Sequence, residues 1–155
     1  MKASEVFDII LLTNTLWEIY VKVIICIDDE GGMLFNGRRQ SRDPVVSDDI
    51  ISSIGDKRLL ISPFSEKLFP NEKRVKICKN PLSRAKSEDF CFIENLPLLP
   101  YIDEINTVIV YKWNRLYPTD KFLDIPLSDG SFKLCETSEM VGVSHEKITK
   151  EIYKR

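Results

Sequence analysis

The chain has 155 residues, 43% of them hydrophobic and 30% charged, with a formal net charge of −2. That composition suits one globular domain with a core of its own and does not suit a disordered segment. The slightly acidic balance argues against a protein that coats nucleic acid through bulk charge, though it leaves room for a local basic patch.

Residues 1–20 place Val6, Ile9, Ile10, Thr13, Trp17 and Tyr20 on one face of a short helix. The rest of the chain is organised without them. Val21-Lys22-Val23-Ile24 reads as a natural start, because a valine codon can initiate translation in bacteria. Residues 1–20 are therefore expected to be an upstream extension, and residues 21–155 the domain. The apolar run at 6–12 is short and carries Asp8, which argues against a signal peptide. No run reaches the ~18 apolar residues of a membrane span, so a cytoplasmic protein with no membrane partner is expected.

From Val21 the elements alternate. Residues 21–28 form an almost wholly apolar strand, as in a sheet covered on both faces. An acidic Gly31-Gly32 turn and a loop with Arg38, Arg39 and Arg42 follow, with Asn36-Gly37 as a turn signal. The spacing of Val46, Ile50, Ile51 and Ile54 predicts a helix over 45–54, closed by Gly55, with Ser47, Asp48 and Asp49 in its first turn. Short strands are predicted at 58–62, 75–78 and 90–94. Helices are predicted at 63–69 and 97–105, with a weak helix or loop at 81–88. Thr107 to Trp113 is a strand rich in Val, Ile and Tyr. Residues 132–137 and 147–153 alternate polar and apolar, with turn signals such as Asp129-Gly130 between them. The order predicts an α/β fold with a mainly parallel sheet flanked by helices and an antiparallel hairpin at the C-terminus.

Cys26, Cys78, Cys91 and Cys135 each sit in an apolar, strand-like run without metal-ligand spacing, as expected for small buried thiols in a reducing compartment. No metal site is expected. Arg38, Arg39 and Arg42 are the sharpest charge feature. Guanidinium forks suit phosphate or carboxylate, and the competing use is pairing with Asp28, Asp29, Asp43 and Asp48 to lock the loop. The single histidine, His145, lies in Ser144-His145-Glu146, where sequence neighbours rarely form a triad; a surface position is expected. Trp17, Trp113, Tyr101, Tyr111 and Tyr117 read as core or rim residues.

The layout resembles dihydrofolate reductase, and so do particular residues. Val23-Ile24-Ile25-Cys26-Ile27-Asp28-Asp29-Glu30-Gly31-Gly32-Met33-Leu34 is similar to the first strand and mobile loop of that family. Ser47-Asp48-Asp49-Ile50 is similar to the family's Pro-Glu-Asp-Leu, and Pro118 to Ile125 to its Gly-Asp-Thr-x-Phe-Pro-Asp-Ile. Residues 132–155, ending Lys150-Glu151-Ile152-Tyr153-Lys154-Arg155, resemble its closing hairpin. The resemblance covers about residues 21–155. It implies that Asp49 is the buried carboxylate that assists pterin protonation, with Asp48 the fallback if the match slips by one. It also implies that Asp120 stands beside Asp49, in place of a threonine, and that the two carboxylates couple.

The departures from the family are equally specific. Ser62-Pro63-Phe64-Ser65 replaces the Gly-Arg-x-Thr turn that holds cofactor phosphate, and Glu94-Asn95 replaces the Gly-Gly pair beside the pyrophosphate. Arg38-Arg39-Gln40-Ser41-Arg42 replaces a Leu-Pro-Trp segment of the substrate pocket. Separately, Met33-Leu34-Phe35-Asn36-Gly37-Arg38-Arg39-Gln40-Ser41-Arg42-Asp43 is similar to a stretch in short clostridial proteins often labelled ribonuclease Z. A chain with one histidine does not carry the His-x-His-x-Asp-His zinc set of that chemistry.

Three functions are carried forward. The first is a diverged domain binding a small anionic ligand through Arg38, Arg39, Arg42 and Asp49, without standard NADPH use. The second is an active NAD(P)H-dependent reductase with an altered cofactor site. The third is an RNA-processing or RNA-binding protein that uses the arginines and the basic tail Lys147, Lys150, Lys154 and Arg155.

Overall fold

The computed structural model describes residues 20–155. The reading of the N-terminal segment as a helix and an extension lies outside the described residues, Tyr20 aside. Seven strands form the main sheet in the order β5-β4-β6-β1-β7-β10-β9. They are β1 (Val21–Ile27), β4 (Leu59–Ile61), β5 (Val75–Ile77), β6 (Phe90–Phe92), β7 (Ile105–Lys112), β9 (Lys133–Met140) and β10 (Ile148–Lys154). The first five in spatial order are parallel; β10 is antiparallel to β7, and β9 to β10. This is the mainly parallel sheet with a C-terminal hairpin that the sequence predicts.

β1 is central because it has no polar face. Val21, Val23, Ile25 and Ile27 enter one hydrophobic cluster with Leu60, Cys91, Val108 and Val110. Ile24 enters the other, under helix α1 (Pro44–Ile54), with Val46, Ile50, Ile54, Tyr111 and Trp113. Burial on both faces removes the alternation that a one-sided strand would show. Each large aliphatic at these positions contributes roughly 2–3 kcal/mol of transfer free energy. β9 is the outer edge, exposed along nearly all its length, and Lys133, Glu136 and Glu139 blunt it against further pairing.

A second, three-stranded sheet was not predicted. β2 (Gly32–Phe35) pairs with β3 (Arg38–Arg39) and with β8 (Lys121–Phe122). Asn36 and Gly37, with φ of 51° and 69°, make the two-residue turn between β2 and β3. Two of the three arginines thus stand on a hairpin strand and not in a loop. The helical elements are also slighter than predicted. Pro63–Leu68 and Leu99–Glu104 are 3₁₀ turns, and α2 (Pro81–Arg84) is a single turn. Pro70 stops the first, since proline cannot continue a hydrogen-bonded helix, and Pro100 sits in the opening turn of the second, so the helix cannot extend back through it to 97.

The start of α1 also shifts. Asp43 is the N-cap, its Oδ1 accepting from the Val45 amide at 3.0 Å, with Pro44 next. Asp48 and Asp49 therefore fall beyond the first turn. The four cysteines are free, with Cys91 buried, Cys26 and Cys78 half-buried and Cys135 exposed on β9. Cys135 departs from the buried expectation because β9 is an edge strand. Burial pushes the Cys91 thiol up to about 12, with Asp89 and Cys78 adding to it. No described helix is long and apolar enough to cross a membrane.

Candidate functional site

The strand ends, the β2–β3 hairpin and the N-terminus of α1 meet at one edge of the sheet. Asp28, directly after β1, is buried. Its Oδ1 accepts from the amides of Glu30 (3.0 Å) and Gly32 (2.7 Å). Its Oδ2 accepts from Thr119 Oγ1 (3.0 Å), the Tyr117 amide (3.2 Å) and Gln40 Nε2 (3.2 Å). Burial would raise its pKa, but the Gly32, Glu30 and Tyr117 amides and the Thr119 hydroxyl outweigh it and hold the carboxyl below its usual range. Asp28 thereby ties the hairpin to the 117–119 segment. Gly32 makes this possible, since a Cβ there would lie 2.7 Å from Asp28 Oδ2 and against Thr119.

Arg39 reaches across the strand ends. Its Nε donates to Glu94 Oε2 at 2.6 Å and its Nη2 to Glu94 Oε1 at 2.7 Å; Nη2 also donates to the Phe64 carbonyl at 3.2 Å. Ser65 Oγ donates to Glu94 Oε1 at 2.7 Å, and the guanidinium carbon lies 5.1 Å from the centre of the Phe64 ring. This fork-to-fork pair is the strongest form of ion pairing available to these groups. The loop-locking alternative is thus realised for Arg39 by Glu94, two residues beyond β6, and not by the nearby aspartates.

Arg38 and Arg42 differ. Among the described residues no hydrogen bond or ion pair engages either guanidinium. Two open hollows adjoin them. One, of about 530 Å³, is lined by Phe35, Asn36, Arg38, Gln40, Tyr117 and Pro118; the other, of about 420 Å³, by Gly37, Arg38, Ser41, Arg42 and Phe64; Arg39 borders both. Gln40 Oε1, at the first hollow, is the one buried side-chain polar atom without a hydrogen-bond partner among the described residues. By contrast, the space under α1, bounded by Cys26, Arg42, Val46, Ile50, Phe69 and Trp113, holds only about 10 Å³. That is barely room for one water. A ligand of any size fits the arginine rim and not the interior.

Asp49 is placed elsewhere. Its Oδ2 accepts from Tyr111 Oη at 2.6 Å and from Lys150 Nζ at 2.8 Å, so it faces β7 and β10. Burial, then the hydrogen bond to Asp49, holds the Tyr111 phenol far above its ordinary pKa, so it stays a donor. Asp49 is an ion-paired, one-third exposed carboxylate and not one sealed in an apolar pocket, and it lines neither arginine hollow. Asp120 lies in the small sheet, its Oδ2 accepting from the Asn36 amide at 3.0 Å. Asp49 and Asp120, expected to couple, share no hydrogen-bond partner among the described residues. Among the described residues the Asp48 side chain makes no hydrogen bond or ion pair with any of these groups.

Sequence reasoning missed His145. It is buried at 3% exposure and not at the surface, and it stacks on Trp113 with ring centres 4.6 Å apart. Its Nδ1 lies 2.9 Å from Asp43 Oδ2, and its Nε2 lies 2.8 Å from Ser41 Oγ and 3.2 Å from Tyr117 Oη. Asp43 also accepts from the amides of Val143 (3.1 Å) and Ser144 (2.9 Å). Burial opposes ionisation of Asp43, but His145 and the Ser144, Val143 and Val45 amides prevail and hold its carboxyl well below the usual range. The signal available in the sequence was Asp43-Pro44, a helix-start pair, together with a lone histidine next to Gly142-Val143-Ser144. Nothing local joins them: they lie 102 residues apart. Among the described residues no group of three or more His, Cys, Asp or Glu side chains is placed to hold a metal ion.

No protein-family model matches the sequence, and no curated protein matches it. Its shape does match solved structures. Dihydrofolate reductase from Enterococcus faecalis, complexed with NADP(H) and RAB-propyl, superposes with a TM-score of 0.61 at 11% identity, over 89% of this chain and 97% of that chain. The chain therefore has a dihydrofolate reductase-like fold. That likeness defines the fold; the site's chemistry rests on the residues above.

Proposed function

We propose that this chain is a diverged dihydrofolate reductase-like domain that binds a small anionic ligand at the Arg38–Arg42 rim and does not carry out standard NADPH-dependent reduction. The observation that carries this reading is the Arg39–Glu94 pair beside the guanidinium groups of Arg38 and Arg42, which no hydrogen bond or ion pair engages among the described residues. Glu94 sits two residues beyond β6, and a carboxylate there disfavours a pyrophosphate. Ser62-Pro63 opens a six-residue 3₁₀ turn, and Pro63 has no N–H to offer a phosphate. NADP(H), which the Enterococcus faecalis enzyme holds, does not fit these residues in the usual way.

Arg38 and Arg42 suit a phosphate- or carboxylate-bearing small molecule, since both present bidentate donors at open hollows of ligand size. Support for RNA recognition is weaker. Lys147 pairs with Glu139, Lys150 with Asp49, and Arg155 donates to the Ile105 and Ile102 carbonyls, which leaves Lys154 of the basic tail. Zinc nuclease chemistry also lacks a donor set, as the single histidine is taken up by Asp43 and Ser41.

Thermal shift with inorganic pyrophosphate tests the reading. Near a hundredfold excess over Kd, a specific site adds about 2.7 kcal/mol, and so a rise of several degrees. Arg38→Ala/Arg42→Ala is expected to abolish that rise. An unchanged rise in the double variant would remove the arginine rim from the site.

A further inference from the structure

We propose that Ser41, His145 and Asp43 form a nucleophile relay, and that Ser41 attacks small carboxylic esters whose anionic group is held by Arg38 and Arg42. The substrate part of this proposal rests on the anion-binding reading above; the relay part does not.

The proton directions follow from the partners. Asp43, ionised and buried, only accepts, so the Nδ1 proton of His145 points at it across 2.9 Å. Nε2 is then the acceptor for the Ser41 hydroxyl at 2.8 Å. Tyr117 donates to Ser41 Oγ at 3.3 Å. Tyr117 Oη also lies 3.2 Å from Nε2, and Ser144 Oγ lies 3.1 Å from Nδ1; the direction from serine to histidine to aspartate is set by Asp43, which only accepts. These are the distances and roles of a serine with its general base and that base's orienting carboxylate. The order here, Ser41, Asp43, His145, is set by geometry alone.

Two features distinguish this cluster from a buried clamp between α1 and the 141–145 turn, a task Asp43 also performs. First, the relay ends on a half-exposed serine that lines the open 420 Å³ hollow shared with Arg38 and Arg42. A purely structural network has no need to end at open space. Second, Trp113 and Asp43 fix the imidazole from its face and from Nδ1, leaving Nε2 aimed at Ser41. Positioned this way, the base requires no rearrangement before proton transfer.

The step balances as follows. Ser41 Oγ bonds to the ester carbonyl carbon as His145 Nε2 takes the hydroxyl proton. The carbonyl π pair moves to oxygen, with the Tyr117 hydroxyl, 3.3 Å from Ser41 Oγ, available to donate to it. Collapse breaks the bond to the alcohol oxygen, which leaves with the proton from Nε2. Water then attacks the acyl-serine, gives its proton to Nε2, and Ser41 recovers it as the carboxylic acid departs. One ester and one water become one acid and one alcohol, with no redox change.

The test uses the full chain and a neutral probe, diisopropyl fluorophosphate, so that the relay is read without the arginines. Intact and peptide mass spectrometry should find one adduct, on Ser41, with none in folded Ser41→Ala. His145→Gln should slow labelling by about 100-fold. Should His145→Gln fail to fold, Ser41→Cys replaces it: iodoacetamide near pH 6 should alkylate position 41 about tenfold faster than the exposed Cys135. An unlabelled Ser41, or a labelling rate indifferent to His145, overturns the relay. A position-41 thiol no faster than Cys135 does so too. Separately, kcat/KM for mono-p-nitrophenyl succinate should exceed that for p-nitrophenyl acetate by about tenfold, and Arg38→Ala/Arg42→Ala should erase the difference. Labelling of Ser41 without that preference overturns the anionic substrate while leaving the relay standing.

Discussion

Replacing Arg39 by Met removes the cation from a pair that is mostly out of water. The Arg39 side chain is 21% exposed and Glu94 is 8% exposed. After the change Glu94 keeps only the Ser65 hydroxyl at 2.7 Å. Stranding one charge of a buried pair costs about 3–5 kcal/mol, and water reaching the one-fifth exposed Arg39 places this case near the lower end, about 3 kcal/mol. For a chain of this length that corresponds to a fall in Tm of roughly 6–12 °C. Arg39→Met/Glu94→Leu should recover most of the loss, because no charge is then left unpaired. Urea unfolding of the two single variants and the double variant gives the coupling directly. An Arg39→Met loss below about 1 kcal/mol, or a double variant as unstable as the sum of the singles, would refute a desolvated ion pair across the strand ends.

Gly142 leaves no space for a side chain: an added Cβ would meet Asp43 Oδ2 and lie 2.9 Å from Ile148 Cδ1, so Gly142→Ala should lower stability by about 1–3 kcal/mol in urea melts. Asp43 and Asp28 both titrate below their unfolded values, so their contribution is full above about pH 4 and falls away as acid takes the pH through their folded values. Stability should therefore drop steadily below about pH 4, and Asp43→Asn, though less stable at neutral pH, should show a shallower acid slope by circular dichroism. Asp49→Asn should cost only about 1 kcal/mol, since Asp49 is itself one-third exposed and the amide oxygen can still accept from the buried Tyr111 hydroxyl, and should leave the pyrophosphate thermal shift unchanged; loss of that shift would return Asp49 to the ligand site.

The parts of the fold written into local pattern were legible in the sequence. β1 showed itself by an unbroken apolar run, α1 by the spacing of Val46, Ile50 and Ile54, and the C-terminal hairpin by alternation. The small sheet was missed because β3 and β8 have two residues each, too few for any periodicity. Prolines marked the segments at 63–69 and 97–105, but segments this short carry too little periodicity to tell a 3₁₀ turn from an α-helix. Of the candidate site, the arginine cluster was visible as a charge run. Its division into an engaged Arg39 and unengaged Arg38 and Arg42 was not, because Glu94 lies 55 residues away. Asp49 illustrates the opposite failure: a motif match placed it in a pocket, whereas the helix start at Pro44 turns it toward Lys150. His145 gave no local sign of burial, as its partners come from the other end of the domain.

The most direct measurement is a titration of the full chain with NADPH, followed by its fluorescence and by absorbance loss on adding dihydrofolate. On the proposed function the expected result is neither saturable binding up to about millimolar cofactor nor oxidation of NADPH, because Glu94 is a carboxylate paired with Arg39 and Pro63 has no N–H, so neither offers phosphate a donor. Saturable binding with stoichiometric oxidation would contradict that reading and make this chain a working reductase with a rebuilt cofactor site.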